Sequence, residues 1–316
     1  MNHPPDSVSL GSSDLRVSRL GIGTWAWGDR FYWGYGRGGY TDADLQAAFQ
    51  ASLAGGINLF DTAEIYGQGR SERLLGGFVR AGDAQALVAT KFFPFPWRWR
   101  RASLLHALRG SLGRLGLERV DLYQIHWPYP PAPIETWMAG LADAVEAGLV
   151  RTVGVSNYSL EQTRRAHAAL AKRGVPLVSN QVQYSLLHRQ PERDGLLDLC
   201  RDLNVTLIAY SPLAMGLLTG KYTPENPLPY LRGRRFRREL LTQIRPLVAL
   251  LGEIGQAYAG KTPAQVALNW VMCKGALPIP GAKNARQAQD NAAALGWFLS
   301  EAEIAALDVA SERLQQ

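Results

Sequence analysis

The sequence predicts an α/β fold, a parallel (β/α)8 (TIM) barrel with an N-terminal hairpin and extra C-terminal helices. Two observations carry that prediction. From residue 19 onward, short apolar segments alternate with longer amphipathic ones, and eight of the short segments can be counted. Three of them stop abruptly on a chemically active side chain. Ile57 to Phe60 ends on Asp61, with Tyr66 five residues later; Ala86 to Thr90 ends on Lys91; Val120 to Ile125 ends on His126. In a barrel of parallel strands, the C-terminal strand ends form the edge where catalytic groups collect.

Taken in order, the segment before residue 19, with Leu10 to Leu15 at its centre, reads as a small hairpin plugging the barrel bottom. Strands are expected near 19 to 24, 57 to 60, 86 to 90, 120 to 125, 150 to 155, 177 to 182, 205 to 210 and 276 to 279. Helical periodicity fills the gaps, for example over Asp42 to Ala54, Ser103 to Leu115, Ile134 to Glu146, Leu160 to Lys172 and Pro263 to Cys273. Helix ends support the count. Thr41 is an N-cap followed by acid in the first turn, Gly55 and Gly56 end that helix, Gly148 and Gly174 close later ones, and Pro263 opens another. Residues 222 to 262 exceed a normal connection and predict an elaborated loop with an added helix around Arg238 to Ala259. Ser300 to Glu303 is a capping box for one more helix. No linker or repeat divides the chain, so one domain is expected over residues 1 to 316.

Composition narrows the function. The apolar share of 47% suits a water-soluble core, no apolar stretch approaches the ~20 residues of a membrane helix, and the start of the chain lacks a signal-peptide core. A cytoplasmic protein without a membrane partner is therefore expected. The two cysteines, Cys200 and Cys273, lie in apolar helical patterns and read as buried free thiols rather than as a disulfide or a metal site. A net charge of +7, with basic runs at Arg98 to Arg101 and Arg232 to Arg238, sits on no nucleic-acid module. These loops read as solvated faces, or as loops that meet a small, multiply negative ligand. Gly34 to Gly39 satisfies G-x-G-x-x-G literally, but it follows an aromatic loop rather than a strand, so it reads as a flexible loop over the site mouth.

The four strand-end groups suit one kind of chemistry. A phenol with a solution pKa near ~10 is a poor acid at neutral pH, and an adjacent ammonium favours its ionised form. Lys91 can be that ammonium, Asp61 can pair with it, and His126 can hydrogen-bond the oxygen that receives the proton. Such a set protonates a carbonyl oxygen as negative charge develops there, and it needs a hydride donor beside it.

Over nearly its full length the chain resembles the aldo-keto reductases. The matching segments are Leu20 to Trp25, Asp61 to Gly67, Thr90-Lys91, Ile125 to Pro128, Gly154 to Tyr158, Asn180 to Val182, Tyr210 to Leu213 and Ile279 to Lys283. The resemblance implies a catalytic set of Asp61, Tyr66, Lys91 and His126, with Tyr66 as general acid, and NADP(H) as cofactor. It further implies that Ser156, Asn157 and Gln181 hold the nicotinamide carboxamide, that Tyr210 stacks on the ring, and that Ser211, Pro212, Leu213, Leu218, Gly220 and Lys221 line the pyrophosphate. Lys283 and Arg286 are expected at the 2′-phosphate, behind Pro280 and Gly281 at a helix N-terminus. Gln287, Gln289 and Asn291 are expected near the adenosine, and Arg232 and Trp25 complete the cofactor contacts.

The expected partner is a small-molecule carbonyl compound. Trp25 and Trp127 read equally as barrel packing and as walls for a planar substrate beside Tyr66 and His126. Trp97 and Arg98 read as an exposed loop or as the border of that pocket. Trp25 to Gly28, Trp33 to Tyr35, Pro96 to Arg98 and Leu295 to Trp297 are similar to the pyridoxal reductase branch, which implies pyridoxal as substrate. Two other readings are a redox-sensing subunit that resembles the potassium-channel β subunits and a Schiff-base aldolase built on Lys91.

Overall fold

Eight parallel strands form the barrel wall in a computed structural model that describes residues 7–37, 39–82, 86–227, 238–312 and 314. After an antiparallel hairpin of β1 (Ser7–Ser9) and β2 (Arg16–Ser18) come β3 (Ile22–Gly23), β4 (Leu59–Asp61), β5 (Leu87–Phe92), β6 (Val120–Ile125) and β7 (Val150–Ser156). β8 (Leu177–Gln183), β9 (Thr206–Tyr210) and β10 (Leu277–Ile279) complete the sheet, and each strand pairs with its neighbour in chain order. All eight lie where the apolar segments placed them.

Closure runs through the first and last strands. The amides of Gly21 and Gly23 donate to the carbonyls of Pro278 and Pro280, both at 3.0 Å, and Gly23 bridges Gly281 in parallel. Glycine suits the close approach. A Cβ on Gly21 would stand 3.0 Å from the Leu59 carbonyl oxygen, and one on Gly23 would stand 3.0 Å from that of Ile279.

Helices α1 (Asp42–Ala54), α2 (Arg70–Ala81), α3 (Arg101–Leu115), α4 (Ile134–Glu146) and α5 (Leu160–Ala171) follow successive strands. The short α6 (Gln190–Arg193) and α7 (Leu196–Asp202) precede β9, and α8 (Arg238–Ala257) is the expected addition to the long connection. α9 (Pro263–Cys273), α10 (Ala285–Ala292) and α11 (Glu301–Glu312) end the chain. Thr41, Ser159 and Thr262 each close a reciprocal capping box at the start of α1, α5 and α9. Such a cap contributes about 1 kcal/mol. Arg232 and most of its basic run lie outside the described residues, as does Gly38. Around that glycine, Tyr35 and Tyr40 are buried edge to face, so the segment packs down at both ends.

The two-residue period of a strand fixes what the barrel interior contains. Leu59, Ala89, Leu122, Ile208 and Leu277 pack inside against Leu10, Leu15 and Val17 of the hairpin, which plugs the bottom as expected. Two residues further along the same face stand Asp61, Lys91, Gln124 and Tyr210, and two beyond Gln124 stands His126. The apolar layers therefore give way to a polar one at the C-terminal edge. Cys200 is buried, whereas Cys273 is only half-buried, and both are free thiols. No described helix is long and apolar enough to cross a membrane.

Candidate active site

The Lys91 ammonium is completely buried and stands 2.5 Å from Asp61 Oδ1 and 2.8 Å from the Thr62 carbonyl oxygen. Asp61, equally buried, receives two further donors on its other oxygen, Gln181 Nε2 at 2.9 Å and Gln124 Nε2 at 3.2 Å. Three donors satisfy one buried carboxylate in a place where an unpaired charge would be costly. The ammonium also lies 5.0 Å from the centroid of the Tyr66 ring, and that ring meets the His126 imidazole edge to face at 5.7 Å. The structure thus brings Asp61, Tyr66, Lys91 and His126 together.

Protonation states follow from burial and charge. Burial works against the Lys91 ammonium, but the Asp61 carboxylate and the Tyr66 hydroxyl outweigh it and hold the lysine above its ordinary range. Burial raises the Tyr66 phenol, the Lys91 ammonium lowers it by less, and the Asp61 carboxylate adds to the rise. The adjacent ammonium favours the ionised form, as its charge requires, but burial outweighs it: Tyr66 keeps its proton at neutral pH, the state an acid needs. Burial and then the Lys91 charge push the His126 imidazole well below 6.5, so it is neutral and offers one N–H donor.

The remaining expected residues sort by element. At the ends of β7, β8 and β9, Ser156 Oγ donates to the Gln181 carbonyl at 2.8 Å and Asn157 Nδ2 donates to the His126 carbonyl at 3.0 Å. Tyr210 donates its hydroxyl to Asn157 Oδ1 at 3.0 Å. These four and the Asp61 group form one connected polar edge. After β9 the backbone turns left-handed at Ser211, Ala214, Met215 and Gly216, with φ of 51°, 47°, 58° and 101°. Pro212 and Leu213 lie inside that turn and Leu218 is buried just beyond it. Gly220 lines a separate groove against Leu241, Ile244 and Val248, and Lys221 is exposed.

At the far end, Asn284 caps α10 by accepting from the Gln287 amide at 3.0 Å, and Gln287 Oε1 accepts from the Lys283 amide at 2.9 Å. Pro280 is buried, Gly281 is exposed, and Asn291 Nδ2 donates to the Gly281 carbonyl at 3.3 Å. The Lys283 ammonium lies over the rings of Trp33 and Tyr40, at 5.4 and 5.0 Å from their centroids. Arg286 and Gln289 are exposed on the outer side of the helix.

Aromatic rings crowd the mouth. Trp25 stacks on Tyr32 at 5.3 Å, meets Trp33 at 5.5 Å and reaches Tyr66 at 6.5 Å. Phe93 meets His126 at 5.6 Å, and Trp127 stacks on Tyr129 at 5.3 Å. Trp97 is 70% exposed and stacks on Phe95, in keeping with an exposed loop, whereas Arg98 is held by Glu64 at 2.5 Å. Sequence reading missed Gln124, Glu64 and Phe93. Only Gln124 left a signal, since its two-residue offset from His126 places it on the same inner face. Among the described residues, no cluster of His, Cys, Asp or Glu is arranged to hold a metal.

A family model described as "Aldo/keto reductase family" matches residues 19–312. The chain is 43% identical to the chloroplastic pyridoxal reductase of Arabidopsis thaliana, over 98% of this chain and 87% of that one. In structure it is similar to a glycerol dehydrogenase from Gluconobacter oxydans, with a TM-score of 0.85 and 30% identity over 98% and 95% of the two chains. An aldo/keto reductase from Klebsiella pneumoniae, solved with NADP and acetate, matches with a TM-score of 0.76 and 29% identity over 96% and 94%.

Proposed function

The chain belongs to the aldo/keto reductase family and is an NADP-dependent oxidoreductase, and from that premise we propose that it reduces a planar aromatic aldehyde, pyridoxal first among them, with Tyr66 as proton donor. One observation carries the reading. A protonated phenol sits against an ammonium that a buried carboxylate holds charged, beside a neutral imidazole.

The residues divide the work. The Tyr66 hydroxyl and an N–H of His126 donate to the substrate's carbonyl oxygen and stabilise the charge that grows there. Tyr66 then gives its proton to that oxygen, and the Lys91 ammonium stabilises the phenolate left behind. Asp61 keeps Lys91 from losing its own proton, and Gln124 and Gln181 keep Asp61 in place. Solvent restores the phenol proton after the alcohol leaves. NADPH, when bound, supplies the hydride that reduces the carbonyl carbon.

The residues present fit that cofactor. Asn157 and Gln181 supply side-chain amides at the ends of β7 and β8, Gln181 bonded to Asp61, and Tyr210 offers a ring at the end of β9. The left-handed run after Ser211 is the type of backbone that forms anion-binding concavities, suited to a pyrophosphate. Lys283 just ahead of α10 suits a 2′-phosphate, with Arg286 on the first turn. A cytoplasmic setting belongs to the same proposal and rests on the sequence.

Two groups of rings, Trp25 with Tyr32 and Trp33, and Phe93 with Trp127 and Tyr129, offer flat apolar surface to a planar substrate. The likeness to a pyridoxal reductase supports pyridoxal within that class. A Schiff-base role for Lys91 is disfavoured, because a nucleophilic lysine needs a lowered pKa and this one is raised. Steady-state turnover of pyridoxal, 4-nitrobenzaldehyde, aliphatic aldehydes and sugars with NADPH tests the proposal. Pyridoxal should give the highest kcat/KM. A preference for aliphatic or sugar aldehydes would remove the aromatic assignment, and tight NADPH binding without any turnover would favour the redox-sensing reading.

A further inference from the structure

His126 lacks the usual handle for an imidazole at a reaction centre. Such a ring is commonly oriented by a hydrogen bond at its remote nitrogen, but His126 Nδ1 is buried and has no hydrogen-bond partner among the described residues. Orientation must then come from packing. Tyr66 meets the ring at 5.7 Å and 81°, and Phe93 meets it at 5.6 Å and 79°. The imidazole is held edge to face by two rings, one belonging to the expected acid and the other to Phe93 of the aromatic wall.

Phe93 is itself gripped at both of its peptide groups. Its N–H donates to Glu64 Oε1 at 2.7 Å, and its carbonyl accepts from Arg98 Nη1 at 3.1 Å. The same Arg98 nitrogen reaches the same Glu64 oxygen at 2.5 Å, which closes the grip. Glu64 is 7% exposed and Arg98 is 23% exposed, so the pair sits largely out of water, where its geometry is fixed more firmly than a surface pair. Glu64 is also tied to the strand that carries Lys91, its amide donating to the Lys91 carbonyl at 3.4 Å. A buried carboxylate three residues past Asp61 and two before Tyr66 thus has no part in the proton transfer itself.

We propose that Glu64 is a positioning residue: through the main chain of Phe93 it sets the angle of the His126 imidazole and hence the direction of the hydrogen bond given to the substrate carbonyl. The inference rests on the reading of His126 as that donor. Because a displacement of about 1 Å in a reacting group costs up to about 100-fold in rate, loss of the grip is expected to lower kcat without weakening the cofactor.

The test uses the NADP-bound full chain. Glu64→Ala and Phe93→Leu should each lower kcat for 4-nitrobenzaldehyde about 10-fold, on the scale of that misplacement cost, leave NADPH affinity unchanged, and shift the His126 Cε1–Hε1 cross-peak in NMR. Glu64→Gln, whose amide oxygen still accepts the Phe93 N–H, should restore most of kcat and return the cross-peak toward its original position. A Glu64→Ala enzyme with unchanged kcat and an unmoved cross-peak would overturn the proposal. So would equal losses in the Ala and Gln variants, which would put the effect in the ion pair alone. If Glu64→Ala fails to fold, Phe93→Leu carries the test, since it leaves the ion pair intact; a Phe93→Leu enzyme with wild-type kcat and an unmoved cross-peak overturns the proposal. His126→Gln separates the two levels. Full activity there would remove the underlying reading, whereas impaired His126→Gln beside unaffected Glu64 and Phe93 variants would remove this inference only.

Discussion

Replacing Lys91 by methionine isolates the energetics of the buried charge pair. The substitution keeps an unbranched chain of similar length without the ammonium, so the Asp61 carboxylate loses its ion-pair partner where its side chain is 3% exposed. Removing one partner of a buried ion pair costs roughly 3–5 kcal/mol, because the other charge is left uncompensated. Asp61 retains the amide donors of Gln181 at 2.9 Å and Gln124 at 3.2 Å, which places the loss at the lower end, about 3 kcal/mol. Urea unfolding followed by circular dichroism at neutral pH reads that loss as a lower midpoint. The double variant Asp61→Asn, Lys91→Met removes both charges and should lose less than the sum of the single variants by about 2 kcal/mol. A single variant within about 0.5 kcal/mol of the wild type, or strict additivity in the double variant, would refute a buried, mutually dependent pair.

Other consequences are equally measurable. Lys283→Ala should weaken NADPH about 10-fold or more, a loss of ~1.4 kcal/mol from one charge-assisted phosphate contact, and leave NADH nearly unchanged in a fluorescence titration. Equal losses for both cofactors would place the 2′-phosphate elsewhere. Because the His126 imidazole is held well below 6.5 by burial and by Lys91, kcat/KM for reduction should be flat from about pH 6 to 8, without an inflection near 6.5. The same shift has a stability sign. The unfolded chain binds a proton at this position below about pH 6.5 while the folded chain does not, so stability falls as pH drops through that value. The Tm of His126→Gln should fall less steeply than that of the wild type over the same range, and parallel curves would contradict the assignment.

What the sequence revealed depended on how local its signal was. The starts of α1 and α9 were legible to the residue because Thr41 as an N-cap and Pro263 at the first helical position are chemical punctuation with short-range causes. The strand ends at Asp61, Lys91 and His126 stood out because a charged or ionisable group terminates an apolar run, and parity along each strand then points all three inward. Three kinds of feature were not legible. The Gln124 and Gln181 amides reach Asp61 from strands distant in sequence, and nothing local marks such a meeting. The grip of Glu64 and Arg98 on Phe93 spans a loop whose path depends on tertiary packing. The rise of the Tyr66 pKa depends on enclosure by the whole pocket, which outweighs the single neighbouring ammonium that sequence reasoning could see.

Substitution of Tyr66 by phenylalanine is the most direct measurement of the central claim. It removes one oxygen while keeping the ring that meets Trp25 at 6.5 Å, His126 at 5.7 Å and the Lys91 ammonium at 5.0 Å. A positioned general acid contributes about 10²–10⁴-fold in rate, so kcat for aldehyde reduction should fall by at least about 100-fold, with NADPH affinity within about twofold of the wild type. A Tyr66→Phe enzyme that reduces pyridoxal or 4-nitrobenzaldehyde at a rate near that of the wild type would contradict the account.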